Sequence, residues 1–556
     1  MNLRLDCLTE EIISQIPIKE LRFMKFRAYL LFFSIILLGA CKQNSKVPTG
    51  EIFEAKNEQG VTINYMVTDA DAKQIEVVGK YVSEYQNTYI GTIVVPQTVN
   101  YEGADFTVVA VGKNAFAYSE KLRAVHLPPT VVEIKENAFR ECSLLNKITL
   151  PENLQEIGRN AFQSCIAIDS LCIPQSIKVI RLAAFADAGC KYISVPEKID
   201  TIEGGALAKL SVPMPLIINN ELFAFPRSFT SNYRIPANVV AVREHAFDGC
   251  NLSKVEINDN IKKIGVCAFS RCVHLDSIII PNSIERIPDN CFDGCSHMQS
   301  CVISSKTQSI GFAAFADCDQ LKTIHIPSSV SKIETNAFKG CWHLESISMG
   351  NGLTEIKDNV FEDCHDLSAI SFPSSLRLLG NEVFNKCENL KSVELPDTME
   401  IIGKRAFAGC KSLVRVRFSK RMKSIGAEAF EGCESLKEAI LPVGLDSLAS
   451  RTFDGCKALN KIVLPQSIKE LCWASIRHCE SLEFVEIPSS LAKIGAQAFG
   501  SGGKTVLTIK MESPTAPQCH EDAFMFRKVH LLIPKGSSES YIWAAGWQET
   551  GKPTEY

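Results

Sequence analysis

Three neighbouring pairs of cysteine and histidine are the residues of this chain whose types could support covalent chemistry. The pairs are Cys364 with His365, His478 with Cys479, and Cys519 with His520. A thiol nucleophile needs a histidine within hydrogen-bond reach of the sulfur, and a third group must orient that histidine. Adjacent residues on a turn generally point apart, and no orienting group stands beside these pairs. We therefore expect no enzymatic activity from them.

Metal, cofactor and nucleic-acid binding are also disfavoured by the residue pattern. The ten histidines are scattered, without an H-E-x-x-H motif or another ligand spacing. No P-loop or dinucleotide fingerprint is present. The formal net charge is -4, and the chain has no long basic run that could follow a nucleic-acid backbone. We expect no metal, no cofactor and no nucleic-acid partner.

The spacing of the cysteines and phenylalanines shows what must position these side chains. Phe116, Phe139, Phe162 and Phe185 are 23 residues apart, and the same period continues from Phe269 to Phe453. A fixed period of this length is typical of a solenoid. Thirteen of the 22 cysteines stand three residues after the position that phenylalanine usually occupies. These cysteines are Cys142, Cys165, Cys250, Cys272, Cys295, Cys318, Cys341, Cys364, Cys387, Cys410, Cys433, Cys456 and Cys479.

The recurring cysteines have two interpretations. Equivalent side chains on stacked coils run parallel, with Cβ atoms ~4.8 Å apart. A disulfide needs converging Cβ atoms at about 3.5–4.5 Å. We therefore expect a ladder of reduced, buried thiols that pack as small apolar groups. Disulfides between coils are the alternative, which an exported protein would favour.

Each repeat unit divides into a strand and a second short segment. Leu390, Val393 and Leu395 show the alternation of a short strand with one buried face, and Pro396 ends it. The apolar residues of 399–407 follow at spacings of three and four, which predicts a short turn of helix or 3₁₀ helix. One coil is too small to fold alone, so neighbouring coils must stabilise it by stacking.

The unit resembles the leucine-rich repeat, and more closely the BspA-like (Treponema-type) repeat of bacterial surface proteins. In one unit the matching residues are Leu321, Ile324, Ile326, Pro327, Ser329, Val330, Ile333, Ala337, Phe338 and Cys341. The resemblance implies an α/β leucine-rich repeat solenoid, a right-handed curved array of about seventeen 23-residue coils. Short parallel strands would form the concave face, with short helical or 3₁₀ turns opposite. The family's association with adhesion implies a non-enzymatic recognition role.

The N-terminal segment resembles an export signal. Lys25 and Arg27 precede the apolar residues 29–40, which are fewer than a transmembrane helix usually needs to cross the bilayer. Residues 38–41 read L-G-A-C, which resembles the bacterial lipobox, and this resemblance implies that Cys41 is lipidated and becomes the mature N-terminus. An uncleaved anchor helix is the alternative. Met24 opens a signal of ordinary length, so residues 1–23 belong to an upstream segment.

These patterns predict five parts of the chain. Residues 1–41 are the upstream segment and signal peptide, residues 42–50 a tether, and residues 51–110 an N-terminal strand-rich cap. The solenoid covers residues 111–503 with an interruption at 207–236, and residues 504–556 form a C-terminal cap. The interruption should bend the solenoid or project a loop, and a decayed or variant repeat is the alternative.

The residues between the buried strand positions must face the concave side, where a partner would bind. The candidate partner-binding residues are His325, Glu394, Arg415, Arg417, Glu438, Lys461, Phe484 and Glu486. A broad floor of mixed charge suits an extended protein partner. We expect a lipid-anchored protein of the bacterial outer membrane or cell surface that binds a host or neighbouring-cell protein. A structural envelope lipoprotein without a diffusible ligand is the alternative, and a lipid-tethered enzyme is the least favoured.

Overall fold

The structure is a computed structural model that describes residues 47–83, 86–190, 192–210, 212–500 and 505–556. The proposed signal segment and Cys41 lie outside these residues. The described chain forms a parallel solenoid of about nineteen turns, which confirms the predicted leucine-rich repeat fold class. Each regular coil has three sides, and each side lies beside the equivalent side of the next coil, with strand pairing that is interrupted at some junctions of the two sheets.

The first side is the predicted short strand, and together these strands form the first sheet. Ser392, Val393 and Glu394 show its pattern, because the valine is buried and both of its neighbours are exposed. The strands pair in parallel with a register of one repeat, as where Ser346 pairs with Ala369. The strands of the first sheet are Gly91–Val94, Leu122–His126, Lys147–Thr149, Ser170–Cys172, Tyr192–Ser194, Tyr233–Arg234, Val255–Glu256, Ser277–Ile279, Ser300–Val302, Thr323–Ile326, Ser346–Met349, Ala369–Ser371, Ser392–Glu394, Arg415–Arg417, Glu438–Ile440, Lys461–Val463, Phe484–Ile487, Leu507–Met511, Val529–Ile533 and Thr554–Glu555.

The second side is a shorter strand, and together these strands form the second sheet. In most coils only two residues pair, and the second is a buried isoleucine or leucine. The strands of the second sheet are Ala104–Val111, Glu133–Ile134, Glu156–Ile157, Val179–Ile180, Thr201–Ile202, Leu216–Ile218, Glu221–Ala224, Ala241–Val242, Lys263–Ile264, Arg286–Ile287, Ser309–Ile310, Lys332–Ile333, Glu355–Ile356, Leu378–Leu379, Ile401–Ile402, Ser424–Ile425, Ser447–Leu448, Glu470–Leu471, Lys493–Ile494 and Gln518–Cys519.

The third side, which we call the turn ladder, corrects one detail of the prediction. We expected helical or 3₁₀ turns there, and none forms in the regular coils. Asn336 and Gly340, on either side of Phe338, have positive φ angles of 61° and 71°, which interrupt a right-handed helix. The Phe338 N–H then donates to the Val360 carbonyl of the next coil at 2.9 Å instead of to its own coil. The segment is therefore a run of turns stacked on turns.

Other elements stand at the two ends of the described chain. Antiparallel strands precede the coils, and Gln74–Val78 joins them to the second sheet through its pairing with Ala104–Val111. These first strands are Ile52–Lys56, Thr62–Asp69, Gln74–Val78, Tyr81–Ser83, Gln86–Asn87 and Thr98–Tyr101. Near the C-terminus, the α-helix Ser538–Ile542 and the 3₁₀ helix Gln548–Thr550 lead into the last strand.

Stacked phenylalanine rings run through the core behind the turn ladder. From Phe269 to Phe453 successive ring centroids are 5.1–5.5 Å apart, and the ring planes lie within 15° of parallel. Each ring therefore contacts both neighbours, and removal of one ring leaves a cavity that two coils share.

Phe407→Ala should reduce the free energy of unfolding by about 3–5 kcal/mol, because this fully buried ring stacks on Phe384 and Phe430. Arg417→Ala is the matched control. Its side chain is half exposed and pairs only with the exposed Asp397, so the loss should stay within about 0.5 kcal/mol. Denaturant titration of both variants measures the difference. Equal losses would mean that the buried and exposed positions of the coil are wrongly assigned.

Candidate functional site

In two of the three cysteine–histidine pairs, the thiol and the imidazole make different contacts. Cys364 and Cys479 are fully buried. His365 instead stacks edge-on against Trp342 at 5.6 Å, and His478 Nδ1 lies 2.8 Å from Asp454 Oδ1. In the part of the chain that the structure describes, no three metal-ligating side chains converge on one point. The residues of these two pairs thus make contacts within the fold.

The thirteen recurring cysteines form the predicted ladder. Each Sγ donates to the carbonyl of the phenylalanine-position residue in the preceding coil, as where Cys410 contacts the Phe384 carbonyl at 3.3 Å. The same carbonyl also accepts the backbone N–H of Cys387, which closes a turn of its own coil. All cysteines among the described residues are free thiols. The thiol is therefore a small buried group with a hydrogen bond to the neighbouring coil.

Burial makes these thiols poor nucleophiles. Desolvation raises the pKa of the Cys142 and Cys479 thiols to about 12, because a buried thiolate loses its hydration. Cys172 differs, since it stands on the first sheet with its side chain exposed. It is the one fully exposed cysteine among the described residues.

Six of the eight candidate binding residues lie on neighbouring strands of the first sheet, on its outward side. Arg415 pairs in register with Glu438, and Glu438 with Lys461. The next strand, Phe484–Ile487, carries Phe484 and Glu486 with both side chains exposed. Arg417 stands two residues after Arg415 on the same strand. The structure thus brings these six residues together over four consecutive coils.

Glu394 belongs to the edge of this group, and His325 lies apart from it. Glu394 pairs in register with Arg417. Between His325 and Glu394 stand the two strands Ser346–Met349 and Ala369–Ser371. His325 Nδ1 lies 2.8 Å from the Ser348 hydroxyl, on a stretch of small polar side chains. His325 therefore does not contribute to the same patch.

Sequence reasoning did not select the two apolar residues at the centre of this surface. Ile440 and Val463 are paired neighbours, 53% and 40% exposed, and Phe484 on the following coil is 47% exposed. The sequence did contain a signal that could have selected them, because each is an aliphatic residue at a position that the strand alternation directs outward. We define the mixed patch as Arg415, Arg417, Glu438, Ile440, Lys461, Val463, Phe484 and Glu486.

The charges of the mixed patch differ in how they are neutralised. Arg417 pairs with Asp397 at 3.0 Å, and Glu486 accepts from Lys510 at 2.7 Å. The hydrogen bond to Glu486 raises the pKa of Lys510. Arg415, Glu438 and Lys461 form no ion pair with another described residue. Arg415, Glu438 and Lys461 therefore present alternating charges to solvent on successive strands, beside exposed apolar groups.

The comparisons with known proteins identify the repeat. The profile of the family described as "BspA type Leucine rich repeat region (6 copies)" matches residues 109–214, 216–342, 294–396 and 377–505, together more than half of the chain. No curated protein matches the chain significantly. Among the described residues, no helix has the length and apolar character needed to cross a bilayer.

Several solved structures are similar to this chain. A leucine-rich repeat protein from Bacteroides ovatus has 27% identity and a TM-score of 0.43, over 72% of this chain and 98% of that one. A leucine-rich cell surface protein from Faecalibacterium prausnitzii has 21% identity and a TM-score of 0.33, over 75% and 95%. The pneumococcal vaccine antigen PcpA has 15% identity and a TM-score of 0.33, over 92% and 99%.

In native residues 42–556, a thiol reagent should label Cys172 rapidly, half-buried Cys267 and Cys472 slowly, and the ladder cysteines only after unfolding. Cys172→Ser should remove the rapid phase. A reducing agent should leave the melting temperature nearly unchanged, because the ladder contains no disulfide. A fall of many degrees on reduction would show that disulfides link the coils.

Proposed function

The chain belongs to the family of BspA-type leucine-rich repeat proteins, and from this premise we propose that it is a non-enzymatic recognition protein of the bacterial surface. The observation that carries the proposal is the mixed patch on the first sheet. It places alternating charges without ion pairs on successive strands, beside three exposed apolar side chains, which is the mixture that a protein interface presents.

The shape of the patch supports a protein as the partner. Its side chains project from successive strands, which are ~4.8 Å apart, so the patch is broad. Specific protein interfaces join an apolar centre to a polar rim and are enriched in aromatic residues and arginine. Ile440, Val463 and Phe484 would form such a centre, and Arg415 and Arg417 part of the rim. Binding energy would be shared among several coils.

The electrostatics of the patch support selectivity among partners. Arg415, Glu438 and Lys461 follow one another on adjacent strands with charges of opposite sign. A partner with the complementary order would associate faster, and a partner with the reversed order would be repelled. Because these side chains are exposed or half-buried, dissolved salt would screen them. The affinity should therefore fall as ionic strength rises.

The location follows from the segment that precedes the described residues. We propose that the L-G-A-C sequence at residues 38–41 directs lipidation of Cys41 and so tethers the solenoid to the outer membrane or cell surface. Residues 42–50 would then separate the coils from the bilayer. A structural envelope lipoprotein without a diffusible ligand remains the second candidate, since its coils and anchor would be the same.

Fluorescently labelled residues 42–556 should bind saturably to host cells or neighbouring bacterial cells, and more weakly at high salt. Changing Arg415, Arg417 and Lys461 together to glutamate should weaken binding at least about tenfold, since three charges on one patch change sign. Flow cytometry over a concentration series measures both. Absence of saturable binding by the parent protein would favour the structural envelope role.

The matched control changes Lys262, Lys263 and Lys469 to glutamate. These exposed lysines lie on or next to strands of the second sheet, away from the mixed patch, and the change in net charge is the same. The control should bind like the parent. Parent-like binding by a folded triple variant of the patch would place the binding site elsewhere, and equal losses in both variants would indicate a non-specific charge effect.

Cys41→Ala should abolish lipidation and leave an unprocessed precursor in the cell. Mass spectrometry of the mature N-terminus of the unaltered protein should find an acylated cysteine at residue 41. Lys42 or another unmodified residue at the mature N-terminus would contradict the anchor, while leaving the binding surface untouched.

A further inference from the structure

One segment breaks the period of the solenoid, and the structure shows how. From Phe185 to Phe247 the chain has 62 residues, which is not a multiple of 23. Leu207 takes the next phenylalanine position, because the Phe185 N–H donates to the Ala206 carbonyl as Phe139 does to Ala161. Phe225 takes the one after, since its carbonyl accepts the Cys250 thiol at 3.6 Å. Only 18 residues separate Leu207 from Phe225, so one coil is shortened.

Strand pairing stops in both sheets at this coil. It also stops at some regular junctions, as between Lys263–Ile264 and Arg286–Ile287, but the turn ladder continues across those junctions. In the first sheet, Tyr192–Ser194 pairs only backward, and the following strand Tyr233–Arg234 pairs only forward. In the second sheet, Thr201–Ile202 is the last strand on its side. The antiparallel hairpin of Leu216–Ile218 and Glu221–Ala224 begins the next sheet.

The turn ladder breaks at the same place. In a regular junction three backbone bonds connect the turns, from Asn336, Phe338 and Gly340 to the coil that follows. Among the described residues, no backbone hydrogen bond joins 205–210 to 225–230. The cysteine ladder also lapses, because Ala188, Leu210 and Ser228 stand at its position.

The hydrophobic core is divided where the hydrogen bonds stop. One cluster of buried residues ends at Ala224, and the other begins at Leu222. Leu216 and Phe223 pack with the first cluster, whereas Leu222 and Phe225 pack with the second. The hairpin thus lies between the two hydrophobic cores, and its buried side chains pack partly against the first core and partly against the second.

Only side chains supply hydrogen bonds across this boundary in the described chain. The Asn219 side chain accepts from the Ile199 N–H at 3.3 Å and donates to the Ile199 carbonyl at 2.8 Å. Arg243 donates to the Ile202 carbonyl at 3.3 Å. Three such bonds resist rotation less than two sheets and a turn ladder, because each can re-form with water as the coils move.

We propose that the shortened coil from Leu207 to Phe225 is a joint about which two rigid stacks of coils change their relative angle. In a solenoid each coil is held by its neighbours, so a junction without backbone ladders is the place of least resistance. Motion there would alter the angle between the two parts of the first sheet while leaving the mixed patch intact. The proposal does not depend on the identity of any partner.

Distance distributions between paired spin labels test the joint in residues 42–556 that carry Cys172→Ser. Labels at Thr149→Cys and Glu256→Cys lie on the exposed side of the first sheet and span five coil steps across the joint. Labels at Ser348→Cys and Val463→Cys span five regular coil steps as the control. The distribution across the joint should be at least about twice as wide as the control. Equal widths would overturn the proposal.

A second pair of variants tests what holds the joint. Asn219→Ala combined with Arg243→Ala removes the side-chain bonds across the boundary, and should broaden the distribution of the crossing pair while the control pair stays unchanged. An unchanged crossing distribution would contradict the role of these two side chains. Broadening of both pairs would mean general loosening of the solenoid and would contradict a local joint.

Discussion

The structure depends on one constraint, which is that every residue of a regular coil lies directly beside its own equivalent in the next coil. Parallel backbone hydrogen bonds enforce this register on all three sides. A single coil cannot bury enough apolar surface to offset the entropy lost on ordering its backbone, so its neighbours complete its core. We call the equivalent residues of successive coils a column. Each side chain must therefore pack against the side chains of its own column at a spacing of ~4.8 Å.

The need to pack against an equivalent residue in each neighbouring coil explains which residue types occupy several of these columns. Flat phenylalanine rings stack at this spacing, and a thiol is small enough to fit while its proton reaches a carbonyl of the previous coil. A Cβ atom on Gly403 would collide with the backbone of Gly380, so this junction requires a glycine, whereas Lys357 and Ala449 stand at the same position of other coils. Exposed columns meet the same rule by alternating charge, as where Lys411 pairs with Glu388 at 2.8 Å.

How much could be predicted from the sequence follows from the same constraint. The period of Phe269 to Phe453 and the alternation around Val393 were sufficient for the fold class, the buried columns and the outward positions of the first sheet. The turn ladder was missed because its left-handed positions accept Asn336, Glu382 and Lys386 as well as glycine. Tertiary hydrogen bonds, rather than local preference, select that conformation.

Two further features could be predicted only in part. The period located the interruption at 207–236 with Leu207 at a phenylalanine position, but Phe225 follows after a shortened interval, so its place in the array could not be assigned before the hairpin was known. In the mixed patch, alternation placed Ile440 and Val463 outward but gave no measure of their exposure. The pairing of Arg417 with Asp397 depends on a loop between strands, which a repeat pattern does not describe.

The register would also limit the kind of partner that the proposed binding surface recognises. Its strands are ~4.8 Å apart along the array, whereas the side chains on one face of an extended peptide repeat about every 6.7 Å. A peptide laid across the strands would contact Arg415 with one residue and would place its next side chain on that face between Glu438 and Lys461, which have opposite charge. A folded partner escapes this mismatch, because its surface can present side chains from different segments at any spacing. If the mixed patch binds a partner as proposed, the geometry of the stacked coils would thus favour a folded protein surface over a linear segment.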